Sequence, residues 1–133
     1  MKVLFVCGEY YPDILKYLID GAKRTIKNES KSLKIHSIKI IKVSGIFEIP
    51  VTIVRNIKKF DACIVLGCVI KGETSHFDLI SKSVTNAIMN LSIEYKKPIG
   101  NGIITCFNKD QAIKRATKKG KEAVKAVISV LKS

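Results

Sequence analysis

The chain has 133 residues, 47% hydrophobic and 26% charged, a composition that fits one ordered domain with a core of its own and excludes a disordered or fibrous chain. No apolar run approaches the ~20 residues a membrane helix requires, which excludes a helical membrane span. The net charge of +13 is almost all lysine, 21 Lys against 3 Arg, scattered without interleaved aromatics, so no nucleic-acid partner is expected.

Taken in order, the elements alternate between strand and helix. Lys2–Cys7 is an apolar run too short for a helix and rich in Val and Phe, and reads as a strand. It carries one lysine and stops at Gly8 and Glu9 without a small-residue cleavage site, so a cytoplasmic protein is expected rather than a secreted one. Pro12 suits a first helical turn, and Ile14, Leu15, Leu18, Ala22 and Ile26 follow at helical spacing. After a polar turn from Ser30 to Lys34, His36–Val43 reads as a second strand ended by Ser44 and Gly45. From Phe47, Ile49, Ile53, Val54 and Ile57 mark a second helix, with Pro50 near its start.

Phe60–Cys68 is nearly all apolar in its middle, as a strand covered on both faces must be. Phe77, Ile80, Val84, Ile88, Leu91 and Tyr95 form one stripe of a long helix, opened by Ser75 with Asp78 three residues on and stopped at Lys96-Lys97-Pro98. Ile99–Phe107 reads as the fourth strand. Asn108 with Gln111 opens a short helix that Gly120 is expected to break, and Ala123, Val127, Val130 and Leu131 line a last one. Strands joined by helices throughout predict a single α/β domain over residues 1–133, with a parallel sheet covered by helices on both faces. Cys7, Cys63, Cys68 and Cys106 fall in apolar strand-like runs with no CxxC pair and no Cys/His cluster, which predicts buried free thiols and no metal site.

In open parallel sheets ligands bind at the carboxyl ends of the strands. Here those ends carry Tyr10 and Tyr11, Ser44 and Glu48, Thr74, Ser75 and His76, and Thr105 and Asn108, a set that suits a small polar aromatic or sugar-like substrate. The segment from Leu66 to Asp78 holds two glycines, a lysine, two hydroxyls and one of only two histidines. His76 at a helix start can accept a proton from a bound substrate, and equally can cap the helix or face solvent. Gly72-Glu73-Thr74-Ser75 could hold a phosphate through backbone N–H groups and hydroxyls, or be a plain turn. Arg115, Lys118 and Lys119 share a helical face and could clamp a dianion, while a solvated basic face is the ordinary result in so lysine-rich a chain. The start of the chain also resembles the strand before the nucleophilic cysteine of low-molecular-weight tyrosine phosphatases. That chemistry needs Cys-x5-Arg, and Asp13 stands at the arginine position, which excludes it.

Three blocks in order, Val43-Ser44-Gly45-Ile46-Phe47-Glu48-Ile49-Pro50, Leu66-Gly67-Cys68-Val69-Ile70-Lys71-Gly72-Glu73-Thr74-Ser75-His76-Phe77-Asp78 and Asp110-Gln111-Ala112-Ile113-Lys114-Arg115-Ala116, resemble the lumazine synthase family. The resemblance covers essentially the whole chain. It implies a flavodoxin-like three-layer sandwich with sheet order 2-1-3-4. It also implies condensation of 5-amino-6-(D-ribitylamino)uracil with 3,4-dihydroxy-2-butanone 4-phosphate, releasing phosphate and water, with no cofactor and no metal. By the same resemblance His76 is the proton-transfer residue. Gly72, Glu73, Thr74 and Arg115 meet the phosphate, as does Lys118, displaced by one residue from the family spacing. Ile46, Phe47 and Glu48 contact the ribityl chain, and Val69 and Ile70 lie beside the pyrimidine.

The family usually reads Arg-(Phe or Trp)-Asn after the first strand, where this chain has Glu9-Tyr10-Tyr11. Tyr10 retains an aromatic face for the pyrimidine, whereas Tyr11 replaces an amide. Asn101 stands where the family often places an aromatic over the substrate ring. These departures leave a non-catalytic relative that binds a lumazine or flavin as the alternative. Family sites lie between subunits of a homopentamer, with the arginine and fourth strand from the neighbour. Because the chain begins directly at its first strand, a pentamer or decamer is expected rather than a 60-subunit shell.

Overall fold

The structure, a computed structural model, describes residues 1–29, 31–73 and 76–133. The apolar runs form β1 (Lys2–Gly8), β2 (Ser37–Val43), β3 (Ala62–Ile70) and β4 (Ile99–Cys106). Between and after them lie α1 (Pro12–Glu29), α2 (Ile49–Asn56), α3 (Phe77–Tyr95) and α4 (Lys109–Leu131), with a 3-10 turn at Ile46–Glu48 leading into α2 and another at Ile57–Lys59 leaving it. All strand pairs are parallel and the sheet order is β2-β1-β3-β4, as expected for the flavodoxin-like arrangement. None of the helices among the described residues is long and apolar enough to cross a membrane.

The period-two alternation of β1 and β3 divides the interior into two cores. Val3, Phe5, Cys7, Ile64, Leu66 and Cys68 face one side, where they meet Ile14, Leu18 and Ala22 of α1 and Ala116, Ala123 and Val127 of α4. Leu4, Val6, Cys63, Val65 and Val69 face the other, against Ile49 and Ile53 of α2 and Val84 and Ile88 of α3. Every residue of β3 is buried, which accounts for its unbroken apolar sequence. The helical stripes expected for α1 and α3 face these cores, with Phe77, Ile80, Leu91 and Tyr95 partly buried at the margins of the second.

Two strand boundaries expected from the sequence need correction. The third strand begins and ends two residues later than Phe60–Cys68. The Phe60 amide closes the preceding 3-10 turn on the Ile57 carbonyl at 3.1 Å, and pairing with β4 carries the ladder on to Ile70 opposite Cys106. The fourth strand ends at Cys106, because Phe107 already donates its amide to the Gln111 side chain at 2.9 Å. The Ser75 cap, like Thr74 and Ser30, lies outside the described residues, and the N-cap position of α3 falls on His76, whose side chain makes no cap bond.

The largest correction concerns Gly120, which does not break a helix: α4 runs through it as one element of 23 residues. A Cβ on Gly120 would run into the Leu18 carbonyl of α1, and a Cβ on Gly21 would run into the Thr117 carbonyl of α4. The two glycines therefore let α1 and α4 approach backbone to backbone. Gly120→Ala is expected to lower the unfolding free energy by about 1–3 kcal/mol through overpacking, despite a helix propensity gain of up to ~1 kcal/mol. A denaturation midpoint equal to or above that of the parent would contradict this role.

Candidate functional site

The carboxyl ends of β1 and β3, with the turns that follow β2 and β3, enclose a cavity of about 230 Å³. Its walls and floor come from three segments expected from the sequence: Tyr10 and Tyr11 after β1, Ile46, Phe47 and Glu48 before α2, and Val69, Ile70 and Glu73 at the end of β3. Gly45, Cys68 and Ile80 complete it and were not singled out as site residues. Cys68 looks like core in the sequence because the whole of β3 does. Ile80 reads as one more position of the α3 stripe, although its place one turn after His76 was the available signal.

The local chemistry of each wall follows from its residues. Tyr10 and Tyr11 meet edge to face with ring centroids 4.9 Å apart, the arrangement the ring quadrupoles favour. Tyr10 and Phe47 are about two-thirds exposed, 70% and 66%, and stand as open aromatic faces at the rim. The Tyr11 hydroxyl donates to Glu73 Oε2 at 2.6 Å, a short bond to a carboxylate that joins the loop after β1 to the loop after β3. Burial first, and then this bond and the charge of Glu73, hold the Tyr11 phenol in its protonated form well above the usual tyrosine range.

The turn after β3 owes its shape to Gly72. The Glu73 amide donates to the Ile70 carbonyl at 3.3 Å and Gly72 has φ +94°, the arrangement of a type II turn with glycine at its third position. Nothing lies within 4 Å of a Cβ placed on Gly72, so the glycine is required for its backbone angle and not for space. The same turn is tied to β4 by the Lys71 amide, which donates to the Cys106 carbonyl at 2.8 Å. The Lys71 ammonium stands 5.8 Å from the centroid of the Phe107 ring. His76 follows at the start of α3, exposed, with its carbonyl accepting the Ile80 amide at 2.8 Å. It thus lies in the chain between two residues that line the cavity, Glu73 and Ile80.

Five described residues of the expected site do not line this cavity: Gly72 and His76, which adjoin lining residues in the chain, and Asn101, Arg115 and Lys118, which lie on β4 and α4. Asn101 lies on β4 opposite Val65, four residues before the level of Val69, which at ~3.3 Å per residue is roughly 13 Å along the strand. Its side-chain oxygen accepts the Ile103 amide at 3.0 Å, so it covers a donor of its own edge strand. Arg115 and Lys118 are exposed on α4, whose buried face is Ala112, Ala116 and Gly120. The start of α4 is fixed beside that of α1 by Lys109 and Asp13, 3.1 Å apart, and Lys109 holds the Asp13 carboxyl below the usual carboxylate range.

All four cysteines are buried. Burial pushes the Cys7 and Cys68 thiols up to about 12, and raises that of Cys63 as well. At pH 8 a thiol so placed is ionised to roughly one part in 10⁴, so Cys7, Cys63 and Cys68 are expected to resist iodoacetamide in the native chain and react on denaturation. Mass spectrometry of the labelled chain checks this. Rapid native labelling of Cys68 would mean that the cavity floor is open to solvent.

A doubly covered parallel sheet with an aromatic-walled cavity at its carboxyl ends defines an α/β protein of the kind that takes small ligands at its strand ends. The family model for 6,7-dimethyl-8-ribityllumazine synthase matches residues 1–133. Among similar proteins, the 6,7-dimethyl-8-ribityllumazine synthase of Cutibacterium acnes is 35% identical, over 98% of this chain and 80% of its own length. The 6,7-dimethyl-8-ribityllumazine synthase 1 of Rhodopseudomonas palustris is 37% identical, over 98% and 84%. That of Methylorubrum populi is 36% identical, over 98% and 80%. The chain belongs to the 6,7-dimethyl-8-ribityllumazine synthase family, enzymes of riboflavin biosynthesis.

Proposed function

We propose that the chain condenses 5-amino-6-(D-ribitylamino)uracil with 3,4-dihydroxy-2-butanone 4-phosphate, releasing phosphate and water, in a site that a second copy of the chain completes. The observation that carries this reading is the cavity itself. The segments assigned to the pyrimidine and the ribityl chain converge on one pocket, and that pocket sits at the strand ends where this fold binds ligands.

In this reading the pyrimidine lies against Tyr10 with Val69 and Ile70 beside it, and the ribityl hydroxyls run along Ile46, Phe47 and Glu48. The amine of the pyrimidine attacks the ketone to give an imine, phosphate is eliminated, and ring closure with dehydration follows. His76, at the start of α3, moves protons between the amine, the intermediates and the leaving groups. The turn at Gly72 receives the phosphate, a role the family resemblance also gives Thr74, and Arg115 and Lys118 clamp it.

Two features support completion by a neighbouring copy. Arg115, Lys118 and Asn101 lie away from the cavity of their own chain, and its volume of about 230 Å³ is below the ~300–1,000 Å³ of a closed small-molecule site. In addition, α2 and α3 expose Val51, Val54, Leu79, Met89 and Ile93, an apolar face of the kind that subunit contacts cover. A homopentamer, free or paired into a decamer, in the cytoplasm is the assembly this reading takes. Incubating the chain with both substrates and following the absorbance and fluorescence of the lumazine tests the reaction. Steady product formation is expected, and a folded chain that forms none at high concentration would overturn the proposal.

A further inference from the structure

The loop assigned to the phosphate contains an acidic residue, which is an unfavourable neighbour for a dianion. Glu73 stands directly after Gly72 and directly before Thr74. Its amide closes the turn on Ile70, and one oxygen of its carboxylate, Oε2, takes the Tyr11 hydroxyl at 2.6 Å. The partner is 62 residues away in sequence and belongs to the loop after β1, so this bond joins two loops that both line the cavity. On its other side the same turn is held to β4 through Lys71 and Cys106.

We infer that Tyr11 is a positioning residue: by donating to Glu73 it draws that carboxylate to the cavity wall and fixes the turn so that the Gly72 amide, the one not spent on Cys106 or Ile70, can receive a phosphate. The inference rests on the proposed assignment of this loop to phosphate, and goes beyond it by giving Tyr11 a task other than substrate contact. The ring of Tyr11 is held against the α1/α4 core and in a T-shaped contact with Tyr10, with its hydroxyl on Glu73. A phenol reaches further than a short side-chain amide and offers a strong O–H donor to a carboxylate. Without it, the Glu73 carboxylate is released one residue from the phosphate, where it opposes a dianion by charge and loosens the turn on its Gly72 pivot.

The mechanism predicts suppression, which direct substrate contact does not. Tyr11→Phe keeps the ring and its packing but removes the donor. It is expected to weaken binding of inorganic phosphate, read by calorimetry, on the order of tenfold, the usual scale for a hydrogen bond to a charged group. In assays with both substrates the KM of the phosphorylated ketone should rise more than that of the pyrimidine. Adding Glu73→Gln to Tyr11→Phe should restore phosphate binding to within about twofold of Glu73→Gln alone, because the opposing charge is gone. Phosphate binding in Tyr11→Phe equal to that of the parent would overturn the inference. So would a double variant as weak as Tyr11→Phe, or a parent chain that binds no phosphate. Formation of the lumazine is a separate readout: a chain that binds phosphate and shows the suppression but makes no product would sink the proposed reaction and leave the role of Tyr11 standing.

Discussion

Arg115→Ala is expected to raise the KM for the phosphorylated ketone by about 10²-fold while moving that for the pyrimidine by less than about threefold, the signature of one lost charge-assisted bidentate contact worth about 2–3 kcal/mol. Only arginine offers a planar fork that matches two phosphate oxygens, and this chain has three: Arg24, Arg55 and Arg115. Arg24 is paired with Asp20 on α1 at 3.1 Å, and Arg55 ends α2, at the opposite end of that helix from Phe47 and Glu48. Arg115 stands in the first half of α4, exposed, on the helix that starts where β4 reaches the ligand-binding edge of the sheet. Since lysine supplies charge without the fork, Arg115→Lys should recover part of the loss and no more. Steady-state kinetics with each substrate varied in turn measures both values, and equal losses for the two substrates would contradict the clamp.

His76→Ala should act on a different constant. Proton transfer by a positioned side chain contributes about 10²–10⁴-fold, so kcat is expected to fall by at least about 10²-fold with little change in either KM. The residue is exposed at the start of α3, and its carbonyl rather than its side chain enters the helix ladder. Circular dichroism and the unfolding midpoint of the variant, set beside those of the parent, separate a loss of kcat from a loss of fold. A kcat loss below tenfold, or a rise in KM that accounts for the whole effect, would assign His76 to binding and not to proton transfer.

Most of the fold was legible because local pattern and tertiary need agree in it. The stripes of α1 and α3, the unbroken apolar run of β3 and the Asn108–Gln111 start of α4 each carry their cause within about ten residues of sequence. In the last of these, the Gln111 amide donates to the Asn108 side chain at 2.9 Å. Gly120 was illegible for the opposite reason. By propensity alone a glycine in mid-helix weakens it, and what keeps it there is the backbone of α1, about a hundred residues earlier in the chain.

The site divides in the same way. Tyr10 and Glu48 could be placed at strand ends by pattern alone, because the fold puts strand ends together, whereas Phe47 and Ile70 came through the resemblance. The bond from Tyr11 to Glu73 could not, since neither residue signals the other across 62 positions. Arg115 reads from spacing only as one more exposed basic residue. Its assignment came through resemblance, and since it does not line the cavity of its own chain, the proposed clamp asks for another copy to bring it near.

That shared construction is the central claim, and complementation between two inactive variants tests it most directly. Co-expression of His76→Ala and Arg115→Ala chains, followed by purification of the mixed assembly, places intact His76 of one chain beside intact Arg115 of another in some of the sites. With random mixing roughly one site in four receives both, so lumazine formation should return to about a quarter of the parent rate. Activity no higher than that of the better single variant, from an assembly shown to contain both chains, would contradict a site built from two copies.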